Sequence, residues 1–240
     1  MATHSTNPKS TSPKADTPKA TGTKATSPKA TSPKPTTVLY VRHGRTASTG
    51  TVLPGRAPGL HLSDEGRNQA ERAAERLGTL SRIAAVYASP LERTRETAAP
   101  IAKALGLKVG IQRGLIECDF GDWTGEALAT LRKKREWSLI QNTPSEFTFP
   151  GGESFVEMSH RITSTVRTLV GRHEGETIVV VSHADPIKAA VAAAQGTPLD
   201  LFQRIVISPC SITPIIYGGG APIVLAVNST GDDLSTLAPS

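Results

Sequence analysis

His43 stands between Arg42 and Arg45 at the end of an apolar run, Val38-Leu39-Tyr40-Val41. Two fixed cations beside an imidazole raise the cost of protonating it, so the neighbourhood suits a bound anion. A second histidine, His183, ends the still more apolar run "TIVVVSH" over 177–183. Arg93 follows closely on a third such run, "IAAVYAS" over 83–89. One chemistry uses all of these groups. Transfer of a phosphoryl group needs an in-line nucleophile, donors for three equatorial oxygens and a proton for the leaving oxygen. A neutral imidazole is a competent nucleophile, and the planar fork of arginine matches phosphate and stays charged. On residue type alone, His43 is the candidate nucleophile, Arg42 and Arg93 the oxygen clamps, and His183 a further donor.

These residues need elements to bring them together. Apolar runs at 38–41, 83–89, 107–112 and 177–183 predict strands, and "CSITPIIYGGGAPIVLAVNS" predicts two more around a glycine-rich turn. Between them, residues 63–80 read as a helix capped by Ser63, with Ala70, Ala73, Ala74, Leu77 and Leu80 on one face. Ser89-Pro90 reads as an N-cap followed by proline at the first helical position, with Gly106 as the stop. Further helices are expected from about Ser154 to Val170 and over 185–195. Strands alternating with helices, and apolar throughout, predict an α/β fold with a mostly parallel sheet covered on both faces. Ligands of such sheets bind beyond the carboxyl ends of the strands, where Arg42-His43, the Ser89–Arg93 turn and Ser182-His183 all fall.

Composition separates a tail from this pattern. Residues 1–37 hold six lysines at a strict period of five, from Lys9 to Lys34, and one acid, Asp16, so most of the net charge of +6 lies there. Few apolar side chains repay the entropy of ordering it, and a disordered segment with polyproline-II character is expected over 1–37. It reads either as a solvated tail without a partner or as a polyanion-binding arm, nucleic acid being the partner of the second reading. Residues 38–240 are the expected single folded domain. No apolar run spans a membrane, and the N-terminus lacks the apolar stretch of a signal peptide. Cys118 and Cys210 read as reduced thiols of a cytoplasmic protein.

"RHGRT", "SPLERTRET", "LIECDFGDWTG" and "VVVSHADP", in that order, resemble the motifs of the histidine phosphatase superfamily, which includes the cofactor-dependent phosphoglycerate mutases. The resemblance covers most of residues 38–190. It implies a three-layer α/β/α sandwich around a mostly parallel sheet with one antiparallel strand. It implies that His43 is the residue phosphorylated, that Arg42 and Arg93 are the paired phosphate arginines, that His183 is the second pocket histidine and that Glu117 is the general acid. Three positions depart from the family pattern. Arg45 stands where an acid is usual, Thr49 where an asparagine is usual, and Ala184-Asp185 where glycine follows the second histidine. Thr49, Ala184 and Asp185 are therefore candidate substrate-binding residues, and Asp185 competes with Glu117 for the acid role.

Other motifs carry less. Arg93 could merely pair with Glu96 one turn on. "EMSH" at 157–160 has metal-ligand spacing but no partner from another helix, so no metal is expected. No Walker loop or dinucleotide fingerprint occurs, and no cofactor is expected. "RKKR" at 132–135 reads as an exposed helical face or as a lid meeting a second anionic group on the substrate. Only a short segment separates Glu117 from Pro150, which favours an accessible pocket over a mutase-type insertion. The expectation is a metal-independent phosphomonoesterase acting on a phosphorylated small molecule through a phosphohistidine. The alternatives are a phosphoglycerate mutase-type phosphotransferase and, from another class, a catalytically weak polyanion-binding protein.

Overall fold

The computed structural model describes residues 1–6, 8–9, 34–80 and 82–231. The chain divides into two units, 1–31 and 32–240. Residues 1–6 and 8–9 are exposed and carry neither helix nor strand. Most of the lysine repeat, and with it the disordered-arm reading, lies outside the described residues.

In the second unit the order is β1 (Thr36–Arg42), α1 (Asp64–Gly78), β2 (Ala85–Ala88), α2 (Glu92–Ala104), β3 (Val109–Ile111), two short helices α3 (Leu128–Leu131) and α4 (Trp137–Asn142), α5 (Phe155–Arg172), β4 (Thr177–Ser182), α6 (Ala184–Gln195), β5 (Ile212–Tyr217) and β6 (Ile223–Val224). The sheet runs β3-β2-β4-β1-β5-β6. β1, β2, β3 and β4 are parallel, β5 runs against both its neighbours, and it is the one antiparallel strand. The first strand begins at Thr36, inside the segment assigned to the tail. Thr36 pairs with Tyr217 on β5, and its hydroxyl donates to the His173 carbonyl at 2.7 Å.

Both faces of the sheet are covered, and the strand alternation decides what each face buries. Val38 and Tyr40 pack with Ile178 and Val180 against α5 and α6 through Met158, Ile162, Val166 and Val191. Leu39 and Val41 pack with Val179 and Val181 against α1 and α2 through Ala74, Leu77, Ala98 and Ile101. A period of two along each strand thus produces the three-layer α/β/α sandwich. Local signals set the helix starts. The Ser63 hydroxyl accepts from the Gly66 N–H at 3.1 Å, and Ser154 with Glu157 forms a full capping box on α5. The box uses Glu157, the acid of the "EMSH" motif, to cap its own helix.

The excursion between β3 and α5 holds its shape through aromatic packing. All five phenylalanines of the chain, Phe120, Phe147, Phe149, Phe155 and Phe202, sit in one buried cluster with Trp123, at centroid spacings of 4.9–5.6 Å. "RKKR" is a turn between α3 and α4 and not a helical face. Lys134 rests over the Trp123 ring at 5.0 Å. Among the described residues no helix is long and apolar enough to cross a membrane.

Candidate active site

The sheet order makes the site. β1 and β4 are neighbours in a register that sets Arg42 beside Ser182, and the His43 N–H continues the ladder to the Ser182 carbonyl at 3.0 Å. On the other side of β4, the Ser89 N–H reaches the Val181 carbonyl at 3.1 Å. Three strand ends therefore deliver His43, His183 and Ser89 to one point. The two imidazoles lie 5.2 Å apart, edge to face.

Hydrogen bonds distinguish the two histidines. His43 Nδ1 lies 2.8 Å from the Gly44 carbonyl, which can only accept, so Nδ1 carries the proton and Nε2 the lone pair. Arg93 Nε donates to that lone pair at 3.3 Å. His183 Nε2 lies 2.8 Å from the Ser89 hydroxyl. That oxygen also accepts the Leu91 N–H at 3.4 Å, and His183 Nδ1 is buried without a hydrogen-bond partner. Ser89 does not cap α2, which starts two residues later than expected, at Glu92, with Leu91 as its unassisted cap. Ser89 orients His183, and Ser89→Ala is expected to cost about tenfold in kcat/KM, the size of one hydrogen bond near 1.4 kcal/mol, and to lower the melting temperature by a few degrees because a buried ring nitrogen loses its partner. Steady-state kinetics beside a thermal melt checks this.

Buried donors surround His43. Arg42 Nε, Arg93 Nη1 and His183 Nδ1 are buried without hydrogen-bond partners. The other ends of the arginines are anchored, Arg42 Nη1 on the Ile207 carbonyl at 2.6 Å and Arg93 Nη2 on the Gly55 carbonyl at 2.8 Å. Orphaned donors at this depth are costly and form a ready cradle for an anion. Arg93 does not pair with Glu96, whose carboxylate is taken by His61 and by the Leu62 N–H. Burial, and then Arg42 and Arg93, hold the His43 pKa well below the usual imidazole value. Burial, Arg93 and His43 do the same for His183. Both rings are neutral at neutral pH.

Glu117 is 7 % exposed and lines the same cavity as Arg42 and His43. Burial, and then the charge of Asp185, push its pKa up to about 7, against the opposing pull of the Cys118 N–H and the two arginines. The Cys118 N–H donates to Glu117 Oε1 at 2.9 Å. A network absent from the sequence reading holds this segment. Arg56 Nε donates to the Glu117 carbonyl at 2.9 Å and Arg161 Nη1 to the Ile116 carbonyl at 2.8 Å, and Glu153 pairs with both arginines. Long-range ion pairs of this kind leave no mark in local spacing.

The departures from pattern resolve individually. Arg45 turns from the cavity to pair with Glu65 on α1 at 3.3 Å. Thr49 lines the cavity, but its hydroxyl closes the local turn by accepting the Thr46 N–H at 2.9 Å. Ala184 and Asp185, in the first turn of α6, also line the cavity. Asp185 pairs with Lys188 at 3.2 Å. Gly44 has no room for a side chain, since a Cβ there would lie 2.5 Å from the Gly66 carbonyl oxygen of α1. The Gly44 N–H is held by the Thr97 hydroxyl at 3.0 Å. Together these contacts seat the loop that carries His43. Cys118 and Cys210 are buried and unpaired, and burial raises both thiols above their usual range.

Comparison with known proteins agrees with this architecture. The profile of the histidine phosphatase superfamily, branch 1, matches residues 38–230. A bifunctional protein of Mycobacterium tuberculosis is 36% identical over 204 residues, which cover 82% of this chain and 54% of that protein. The chain thus spans about half the length of that relative. Phosphoserine phosphatase 1 of Hydrogenobacter thermophilus is 32% identical over 184 residues, covering 73% of this chain and 85% of that one. The solved structure of a mycobacterial glucosyl-3-phosphoglycerate phosphatase superposes with a TM-score of 0.74 at 26% identity, over 82% of this chain and all of that one.

Proposed function

The chain belongs to the histidine phosphatase superfamily, and from that premise we propose that it is a phosphomonoesterase working through a phosphohistidine on His43. The observation that carries this reading is a lone pair on His43 Nε2, met by Arg93 Nε at 3.3 Å, together with the buried and unpartnered Arg42 Nε, Arg93 Nη1 and His183 Nδ1. The phosphate displaces Arg93 Nε from that lone pair. Its oxygens take hydrogen bonds from Arg42, Arg93 and His183, whose positive and polar edges stabilise the charge spread in transfer. His43 Nε2 attacks phosphorus in line, and the bond to the ester oxygen breaks. Glu117, whose raised pKa of about 7 keeps a large fraction of it protonated at neutral pH, gives its proton to that oxygen, and the alcohol leaves. The resulting carboxylate takes a proton from water, which attacks the phosphohistidine, releases phosphate and restores both residues.

The names of relatives, phosphoserine phosphatase and glucosyl-3-phosphoglycerate phosphatase, support phosphatase chemistry on a small metabolite. This sequence of steps needs no metal. Two buried, unpaired cysteines suit the reducing cytoplasm. The test is phosphate release by the full chain across a panel of phosphomonoesters without added metal. Release of inorganic phosphate is expected; return of the phosphoryl group to a second alcohol in place of water would make the protein a mutase, and inertness on the whole panel would remove the enzymatic reading.

A further inference from the structure

The cavity above His43 holds about 370 Å³, room for a phosphate and a modest alcohol. Its lining is rich in apolar side chains, Val52, Leu53, Phe120, Leu128, Ile205 and Val206, with Thr46, Thr49 and Gln203 among its neutral polar members. Among the described residues that line it, the charged side chains are Arg42, Glu117, Asp185 and Lys188. Arg42 belongs to the phosphate cradle. Lys188 is the remaining cation, and it is already engaged. Its ammonium donates to Asp185 at 3.2 Å and to Gln203 at 2.8 Å, which uses two of its three hydrogens, and both members of the ion pair are largely buried. The next guanidiniums along the chain do not line the cavity. Arg45 is held by Glu65, and Arg56 by Asp119 and Glu153. "RKKR" contributes no cavity residue either, so the lid reading of that run finds no support here.

Resting on the phosphatase reading of the same site, we infer that the leaving-group side is built for an uncharged, partly apolar alcohol and selects against phosphomonoesters that carry a carboxylate near the ester. The carboxylate would be desolvated among these apolar side chains, beside Asp185, with no unengaged cation among the described lining residues to meet it. Burial of an unpaired charge is the costly case, and unpaired charges are how sites reject the wrong partner. Asp185 is the specificity-determining residue because it silences Lys188.

Binding of two phosphonates, which cannot be hydrolysed, tests the inference independently of turnover. 3-Methylbutylphosphonate and 3-phosphonopropionate have the same heavy-atom skeleton and differ in one carboxylate. Calorimetric titration of the full chain is expected to give the uncharged ligand the lower Kd by about tenfold or more. Equal affinity, or preference for the carboxylate, overturns the inference. Asp185→Asn leaves Lys188 without its counter-ion and is expected to narrow or reverse the ratio of the two Kd values. Taking the ratio within one variant cancels any common effect on the phosphate cradle, and an unchanged ratio overturns the role given to Asp185. Turnover of the corresponding esters is read separately. Inert esters with the expected order of phosphonate affinities would refute the phosphatase reading and leave the subsite standing.

Discussion

Replacing His43 with alanine is expected to lower turnover by at least about 10⁴-fold, the scale seen when a nucleophile that acts as one unit with its neighbours is removed. The expectation rests on which lone pair is available. His43 presents Nε2 to the cavity because its Nδ1 proton is fixed on the Gly44 carbonyl. His183 is held through Nε2 by the Ser89 hydroxyl at 2.8 Å. It is also fully buried, while His43 lines the cavity. Rapid quench of the native protein with a labelled substrate should therefore trap an acid-labile, alkali-stable phosphoenzyme. The His43→Ala variant should form none, while His183→Gln should form it slowly. A thermal melt of each variant separates loss of chemistry from loss of fold. Phosphoenzyme persisting in His43→Ala would move the nucleophile elsewhere.

Glu117→Gln is the second large effect, and its size should depend on the leaving group. A poor leaving alcohol needs its proton in the transition state, whereas a nitrophenol departs without one. Single-turnover phosphorylation of His43 should slow by on the order of 10²–10⁴-fold for an alkyl phosphate and much less for a nitrophenyl one. Single turnover is the right measurement because steady-state rates also contain the water step, where the same carboxylate acts as base. The pH dependence follows from the cause of the shift. With the Glu117 pKa near 7, the acid form is lost as pH rises through that value, so the alkyl rate falls on the alkaline side. The Gln variant should lack that limb. Asp185→Asn removes the charge that helps raise the pKa, so the limb should move to lower pH. Stability tied to Glu117 should likewise decline as pH rises from the ordinary carboxylate range toward 7, because the folded chain holds a proton that the unfolded chain has released. A leaving-group dependence found at Asp185 and not at Glu117 would transfer the acid role to Asp185.

The same comparison of residues shows how far the site was legible before folding. The strand ends at His43 and His183 were readable because an apolar run that stops on a polar residue marks the edge of a buried sheet. The Ser63 and Ser154 caps were readable because capping spans only three residues. Ser89-Pro90 has an equally good local signature, yet the helix begins at Glu92, and the Ser89 hydroxyl accepts the Leu91 N–H of the preceding turn while meeting His183 Nε2 across the sheet.

By itself, the sequence determined the alternation of strands and helices and the family, and it named candidate groups for the site, since each of these is written in residue type and short spacing. The tertiary structure alone decided what those groups are. Strand order brought His43 beside His183 across most of the chain, and burial stripped water from them, so that both imidazoles resist protonation and the Glu117 pKa rises to about 7. It also turned Arg45 away and tied Lys188 to Asp185. Desolvation and charge pairing depend on distances between segments far apart in the chain, and such distances exist only once the core has closed.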